Sequence, residues 1–118
     1  MILFLYLLVI HWLADFVAQT HWMAINKSKS NKALLYHVSV YTLIFGLCLS
    51  GYAVNNLDHL LLFLSVNFVL HFITDYITSR KNSILWTAGR THDFFVMVGL
   101  DQLIHQLTLA LTMYWFLI

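Results

Sequence analysis

Charge is what this chain has least of. Only 9% of its 118 residues are charged while 61% are apolar, whereas a soluble domain carries roughly a quarter charged residues. It has no proline, so none interrupts its long uncharged runs. Its single cysteine, Cys48, excludes an internal disulfide and a multi-cysteine zinc site. Lying in an apolar run, it reads as a small buried hydrophobe. The net charge of +1 comes without a basic stripe, so nothing points to nucleic acid and none is expected as a partner. The opening Met1-Ile-Leu-Phe-Leu-Tyr has no basic n-region and no small-residue cleavage site follows, so the first apolar segment is expected to stay in the mature chain.

What remains is apolar sequence in membrane-length pieces. A spanning helix needs about 20 mostly apolar residues. The expected fold is all-α: one domain, residues 1–118, a polytopic membrane bundle of four transmembrane helices at about 2–24, 33–53, 60–77 and 93–118. Between them the chain is polar. Asn26 to Asn31 reads as a loop, Gly51 to Asp58 as a short turn with Asn55-Asn56 at its tip and Asp58 as an N-cap, and Thr78 to Thr91 as a second polar connection. In that connection Ile84-Leu-Trp86 suits the membrane interface.

All six basic residues sit in two alternate connections: Lys27, Lys29 and Lys32 in one, Arg80, Lys81 and Arg90 in the other. By the positive-inside rule both connections face the cytoplasm and both termini lie outside.

The apolar segments carry ionisable groups, which are costly within a membrane and usually functional. In the third, Asn67, His71 and Asp75 are spaced four apart and share one helix face. The first carries His11 and Asp15, followed by Gln19; the fourth carries Asp101, Gln102, His105 and Gln106. His11-Trp-Leu-Ala-Asp15-Phe-Val-Ala also matches His71-Phe-Ile-Thr-Asp75-Tyr-Ile-Thr as His, aromatic, two small or apolar residues, Asp, aromatic, β-branched. Two helical hairpins related by an axis along the membrane normal would produce such a repeat.

Order and direction agree. The first and third helices run toward the cytoplasm and read His-x3-Asp; the fourth runs outward and reads Asp-x3-His. Reversing both helix and motif restores the layering, with Asp nearer the cytoplasm and His deeper. His37 lies about one turn inside the second helix, and Tyr41 one turn beyond it. The expectation is one site in the cytoplasmic half of the bundle.

Imidazoles and carboxylates in i, i+4 pairs are a metal-ligand set for a helical bundle. His11, Asp15, His71, Asp75, Asp101 and His105 are the candidate ligands, with His37 and Asp101 as candidate catalytic bases. Mixed nitrogen and oxygen donors suit a divalent ion, zinc first, with iron or manganese as alternatives. Seven donors exceed one tetrahedral site, so two ions are bound or some donors support others. Gln19, Tyr41, Asn67, Gln102 and Gln106 are candidates for that supporting shell. Against this stand interhelical glue, a proton or ion pathway, and bis-His haem, which the paired carboxylates disfavour. His21, His59 and His92 read as capping or interfacial residues, and Asp93 suits the positive end of a helix dipole.

The motifs His11-Trp-Leu-Ala-Asp15-Phe-Val-Ala-Gln19, Leu35-Tyr-His37, His71-Phe-Ile-Thr-Asp75-Tyr and Asp101-Gln102-Leu-Ile-His105 together resemble a family of small bacterial and phage membrane proteins, a domain of unknown function. The resemblance covers most of the chain and implies a multi-helix protein of the bacterial inner membrane, without an activity. A looser similarity is to membrane-bound metal-dependent hydrolases, whose longer motif set this chain lacks. It implies a reaction class: hydrolysis of a lipid-linked or membrane-proximal ester or phosphoester, with membrane lipid as partner. The basic connections would attract an anionic headgroup or simply set topology. The alternative is a non-enzymatic membrane protein: a metal or proton transporter, a homo-oligomeric channel, or a small regulatory or assembly subunit. The apolar outer halves of the last three helices argue against a pore within one subunit.

Overall fold

A computed structural model describes the whole chain, Met1–Ile118. It is all helical, with no strand: α1 (Ile2–Trp12) running into a π-helical turn (Leu13–Val17), α2 (His21–Asn26), α3 (Asn31–Cys48), α4 (Ser50–Thr87) and α5 (Thr91–Phe116). α4 packs between α3 and α5, α1 lies against both α3 and α5, and α2 lies against α3. The molecule is elongated, 50 × 27 × 20 Å.

The first expected helix, about 2–24, is broken. Its regular hydrogen bonding gives way to a turn in which Ala18 N–H donates to Leu13 O at 2.8 Å, one residue further back than in an α-helix. The chain then straightens at Thr20, whose hydroxyl accepts from Met23 N–H at 3.3 Å and caps α2. Ser30 does the same for α3 by accepting from Ala33 N–H.

The expected turn at 51–58 is largely helical. The chain leaves α3 at Leu49 and is helical again from Ser50, and only Asn56 (φ −142°, ψ 42°) breaks the helix. Asp58 therefore lies inside α4 and caps nothing. The polar connection expected at 78–91 is helical too, as far as Thr87. No proline or glycine stands between Thr78 and Gly89, so nothing local ends the helix until Gly89 takes the left-handed conformation at φ +69°. There Arg90 N–H donates to Leu85 O and Gly89 N–H to Trp86 O, each at 3.0 Å, a Schellman closure.

Burial is inverted relative to a water-soluble bundle. Only 23 of 118 residues are buried, and nine of those are polar or ionisable. Large apolar side chains point outward along every long helix, among them Val9, Leu43, Leu61, Leu107 and Trp115. Cys48, expected inside, is exposed at the end of α3. α4 and α5 are each long and apolar enough to cross a membrane, whereas the apolar stretch Ile2–Val17 is shorter.

The interior divides along its length. Leu7 and Ile10 of α1, Tyr41 and Phe45 of α3, Phe63 of α4 and Leu109 of α5 belong to one apolar core. Beyond it, toward the α2–α3 loop, every buried ionisable group collects.

Candidate metal centre

The three i, i+4 pairs do converge. α1 and its π turn supply His11 and Asp15, α3 supplies His37, α4 supplies His71 and Asp75, and α5 supplies Asp101 and His105. All except Asp101 are buried. Side chains four apart on one helix stack on one face. The reversal of the motif in α5 is matched by the reversal of the helix, so the imidazoles form one layer and the carboxylates the next. His71 stacks between Tyr41 (ring centroids 4.0 Å apart) and His105 (4.2 Å), and His11 lies 5.5 Å from His105.

Four donor atoms make the tightest group. His37 Nε2 is 3.0 Å from Asp15 Oδ1, 3.3 Å from Asp75 Oδ2 and 3.2 Å from His71 Nε2. His71 Nε2 is in turn 3.5 Å from Asp15 Oδ1 and 3.6 Å from Asp75 Oδ2. Tetrahedral bonds of about 2.0–2.2 Å to nitrogen and oxygen put neighbouring donors about 3.3–3.6 Å apart. The five edges above, 3.0–3.6 Å, run from just short of that range to its upper end, and two nitrogens with two oxygens are a donor set for zinc, iron or manganese. The buried cluster could therefore hold a metal ion.

Asp15, Asp101 and His105 form a second such group that shares Asp15 with the first. His105 Nδ1–H donates to the backbone carbonyl of Asp101 at 2.9 Å, which leaves the Nε2 lone pair turned inward, 3.4 Å from Asp75 Oδ1 and without a hydrogen-bond donor. Metal-binding imidazoles are commonly oriented by such a carbonyl. His71 Nδ1 is buried without a hydrogen-bond partner.

His11 is placed differently. Its Nε2–H donates to Gln102 Oε1 at 3.0 Å and its Nδ1 accepts from the Tyr41 hydroxyl at 3.2 Å, so neither nitrogen offers a free lone pair. Gln102 Nε2 then donates to Asp15 Oδ2 at 3.1 Å and to Asp101 Oδ2 at 3.0 Å. The result is a directed relay from Tyr41 through His11 and Gln102 to two carboxylates. Thr78 Oγ1 donates to the other oxygen of Asp101.

The remaining candidates lie apart. Asn67 donates to Phe63 O at 2.8 Å and to Thr112 Oγ1 at 2.9 Å, about one turn below His71, and bonds nothing in the cluster. Gln19 makes no bond to it, and its Oε1 is buried and unpartnered. Gln106 is exposed, as are His21, His59 and His92. Asp93, in the first turn of α5, pairs with Arg90 at 2.7 Å.

One residue of the site was read only as a basic loop residue, attracting an anionic headgroup or setting topology. Lys27 Nζ donates to Asp75 Oδ2 at 2.9 Å, with 20% of its side chain exposed. Burial pushes its pKa down, but the carboxylates of Asp75 and Asp15 outweigh that and hold it above the ordinary lysine value. Three carboxylates thus face one ammonium. The signal for it was distance along the chain: Lys27 is the basic residue nearest the break after the π turn, where the backbone folds back over the cluster.

Residues 3–118 match the family described as Protein of unknown function (DUF3307). The chain belongs to that family. No curated protein and no solved structure matches it. The matched span takes in every residue of the centre, so the cluster lies wholly within the DUF3307 domain.

Proposed function

We propose that this protein is a membrane-embedded, metal-dependent hydrolase acting on a lipid-linked or membrane-proximal ester or phosphoester. The observation that carries the reading is the spacing of Asp15 Oδ1, His37 Nε2, His71 Nε2 and Asp75 Oδ2. Five of the six edges are 3.0–3.6 Å, and all four atoms lie within 4.8 Å of one another. Charge supports it: Asp15, Asp75 and Asp101 against Lys27 leave a deficit that one divalent cation cancels. Four transmembrane helices enclose this centre in the proposed arrangement, with both termini outside in the bacterial inner membrane. The outward-facing apolar residues of every long helix support that arrangement.

In this mechanism Asp15, His37, His71 and Asp75 hold the ion, zinc first among the candidates. When bound, the ion supplies Lewis acidity, lowering the pKa of water and polarising the scissile group. Asp101, the most exposed of the three carboxylates at 15%, takes the proton, held in place by Thr78 and Gln102. His105 presents a free Nε2 beside it, suited to a second ion or to the substrate. Tyr41 and His11 fix Gln102 and through it the orientation of both carboxylates.

The transport alternative needs a continuous polar path. Below Asn67 and Thr112 the interior is the apolar core of Leu7, Phe45, Phe63 and Leu109, which works against a path within one subunit. A purely structural cluster draws support from the Lys27–Asp75 pair.

Elemental analysis of protein purified without chelator separates these readings. A stoichiometric divalent ion, lost in both His71→Ala and Asp75→Ala, is the expected result. Wild-type protein without metal would overturn the hydrolase reading.

A further inference from the structure

Lys27 belongs to two places at once. Its ammonium reaches Asp75, and its side chain also lines a cavity of about 710 Å³ between the α2–α3 loop, the last turns of α4 and the start of α5. That volume is in the range of ligand-binding pockets.

The lining sorts by chemistry. Lys27 and Lys29 supply positive charge, and no carboxylate lines the cavity. Trp86 and Phe95, both largely exposed, supply an apolar flank at its mouth.

Two lining groups lack partners. Ser79 Oγ and Asn82 Oδ1 are buried and make no hydrogen bond within the protein. Hydroxyls in helices commonly bond the carbonyl one turn back, and Thr74 and Thr87 of α4 do so at 2.8 Å, whereas the buried Ser79 hydroxyl does not. A buried hydroxyl and a buried amide oxygen left unbonded are costly unless something else satisfies them.

We infer that this cavity binds a phosphate-bearing amphiphile. Lys27 and Lys29 hold the phosphate, and Ser79 donates to one of its oxygens. Asn82 Oδ1 accepts from a hydroxyl or ammonium donor of the headgroup. The apolar chain leaves past Trp86 and Phe95 toward the hydrocarbon. Lys27 places that phosphate next to the carboxylate layer and screens it from Asp75. As a statement of substrate class this rests on the hydrolytic reading; as a statement of binding it does not.

The test is equilibrium binding of a short-chain phosphatidic acid to the full chain in non-ionic detergent, after treatment with chelator. Diacylglycerol of the same chain length and inorganic phosphate are the comparison ligands. Saturable binding about tenfold tighter than diacylglycerol, and not displaced by equimolar inorganic phosphate, is expected. Ser79→Ala and Lys29→Met should each weaken it severalfold with helix content unchanged by circular dichroism.

Equal affinity for diacylglycerol would overturn the proposal, and so would unchanged affinity in both variants. Full displacement by inorganic phosphate would make this a free-phosphate site and overturn the amphiphile. Because the ion has been removed, binding without metal in the untreated protein sinks the hydrolase alone. Metal without binding sinks this inference alone.

Discussion

Lys27 and Asp75 are 48 residues apart in sequence and 2.9 Å apart in space, an ion pair whose carboxylate is 2% exposed. Asp75 Oδ2 is also one of the four donor atoms of the candidate centre, so the ammonium and a bound metal ion would compete for one oxygen. Removing one partner of a buried pair leaves an uncompensated charge, at a cost of about 3–5 kcal/mol when burial is complete. Lys27→Met should lower the melting temperature of chelator-treated protein and raise the stabilisation gained from added zinc. Thermal unfolding followed by circular dichroism, with and without zinc, measures both. Equal zinc stabilisation in variant and wild type would show that the two cations do not share the site.

The two histidines of the matching His-x3-Asp motifs should behave differently. His71 presents Nε2 to three other donors, whereas both nitrogens of His11 are engaged by Tyr41 and Gln102. His71→Ala should abolish metal binding, and His11→Ala should weaken it about 10- to 100-fold, as removal of an orienting partner does. Competition against a chromophoric zinc chelator reads both. Loss of equal size in the two variants would place His11 among the ligands.

Orientation can be read with single cysteines on a Cys48→Ser background. Lys29→Cys and Thr91→Cys should be protected from a membrane-impermeant maleimide in intact cells and react after permeabilisation. Asn55→Cys should react in intact cells. This pattern is expected if the two connections that hold all six basic residues face the cytoplasm, as the positive-inside rule places them. Reaction of all three in intact cells would refute the four-span topology.

Two glycines, one in the α4–α5 turn and one within α5, should respond oppositely to alanine. Gly89 has φ +69°, where an L side chain costs roughly 1–2 kcal/mol. Gly99 lies within α5 with open space around its Cβ position, where alanine gains roughly 0.5–1 kcal/mol. Denaturation of Gly89→Ala and Gly99→Ala in the same detergent gives both signs, and destabilisation by Gly99→Ala would reveal close packing at that surface.

Convergence of the cluster was legible because it depends only on period and direction. A His-x3-Asp pair and an Asp-x3-His pair on antiparallel helices meet in register, and Asp15, Asp75, Asp101, His71 and His105 do meet. What could not be read is what one residue of slippage does. The π turn at Leu13–Val17 has no composition that marks it, so the break after the first helix stayed hidden, and with it the return of Lys27. The division between His11 and His37 was equally hidden. His11 is paired with Asp15 while His37 stands alone on its helix, and only the positions of Tyr41 and Gln102 decide that His11 is the one saturated. The length of α4 was legible in principle. Residues 78–88 hold no glycine or proline, and their polarity outweighed that absence of a stop signal.

The order in which the donors leave the ribosome follows from where they lie. Asp15, His37, His71 and Asp75 are all encoded before α5 begins at Thr91, and a chain folds from its N-terminus as it is made. The last helix adds none of the four. It brings Gln102 to Asp15 and Asp101, sets His105 over Asp75, and covers a groove whose coordinating atoms have already been synthesised. In the assembly of this protein α5 is the closing step: a chain stopped at the α4–α5 turn retains all four donors and has nothing to shut them in.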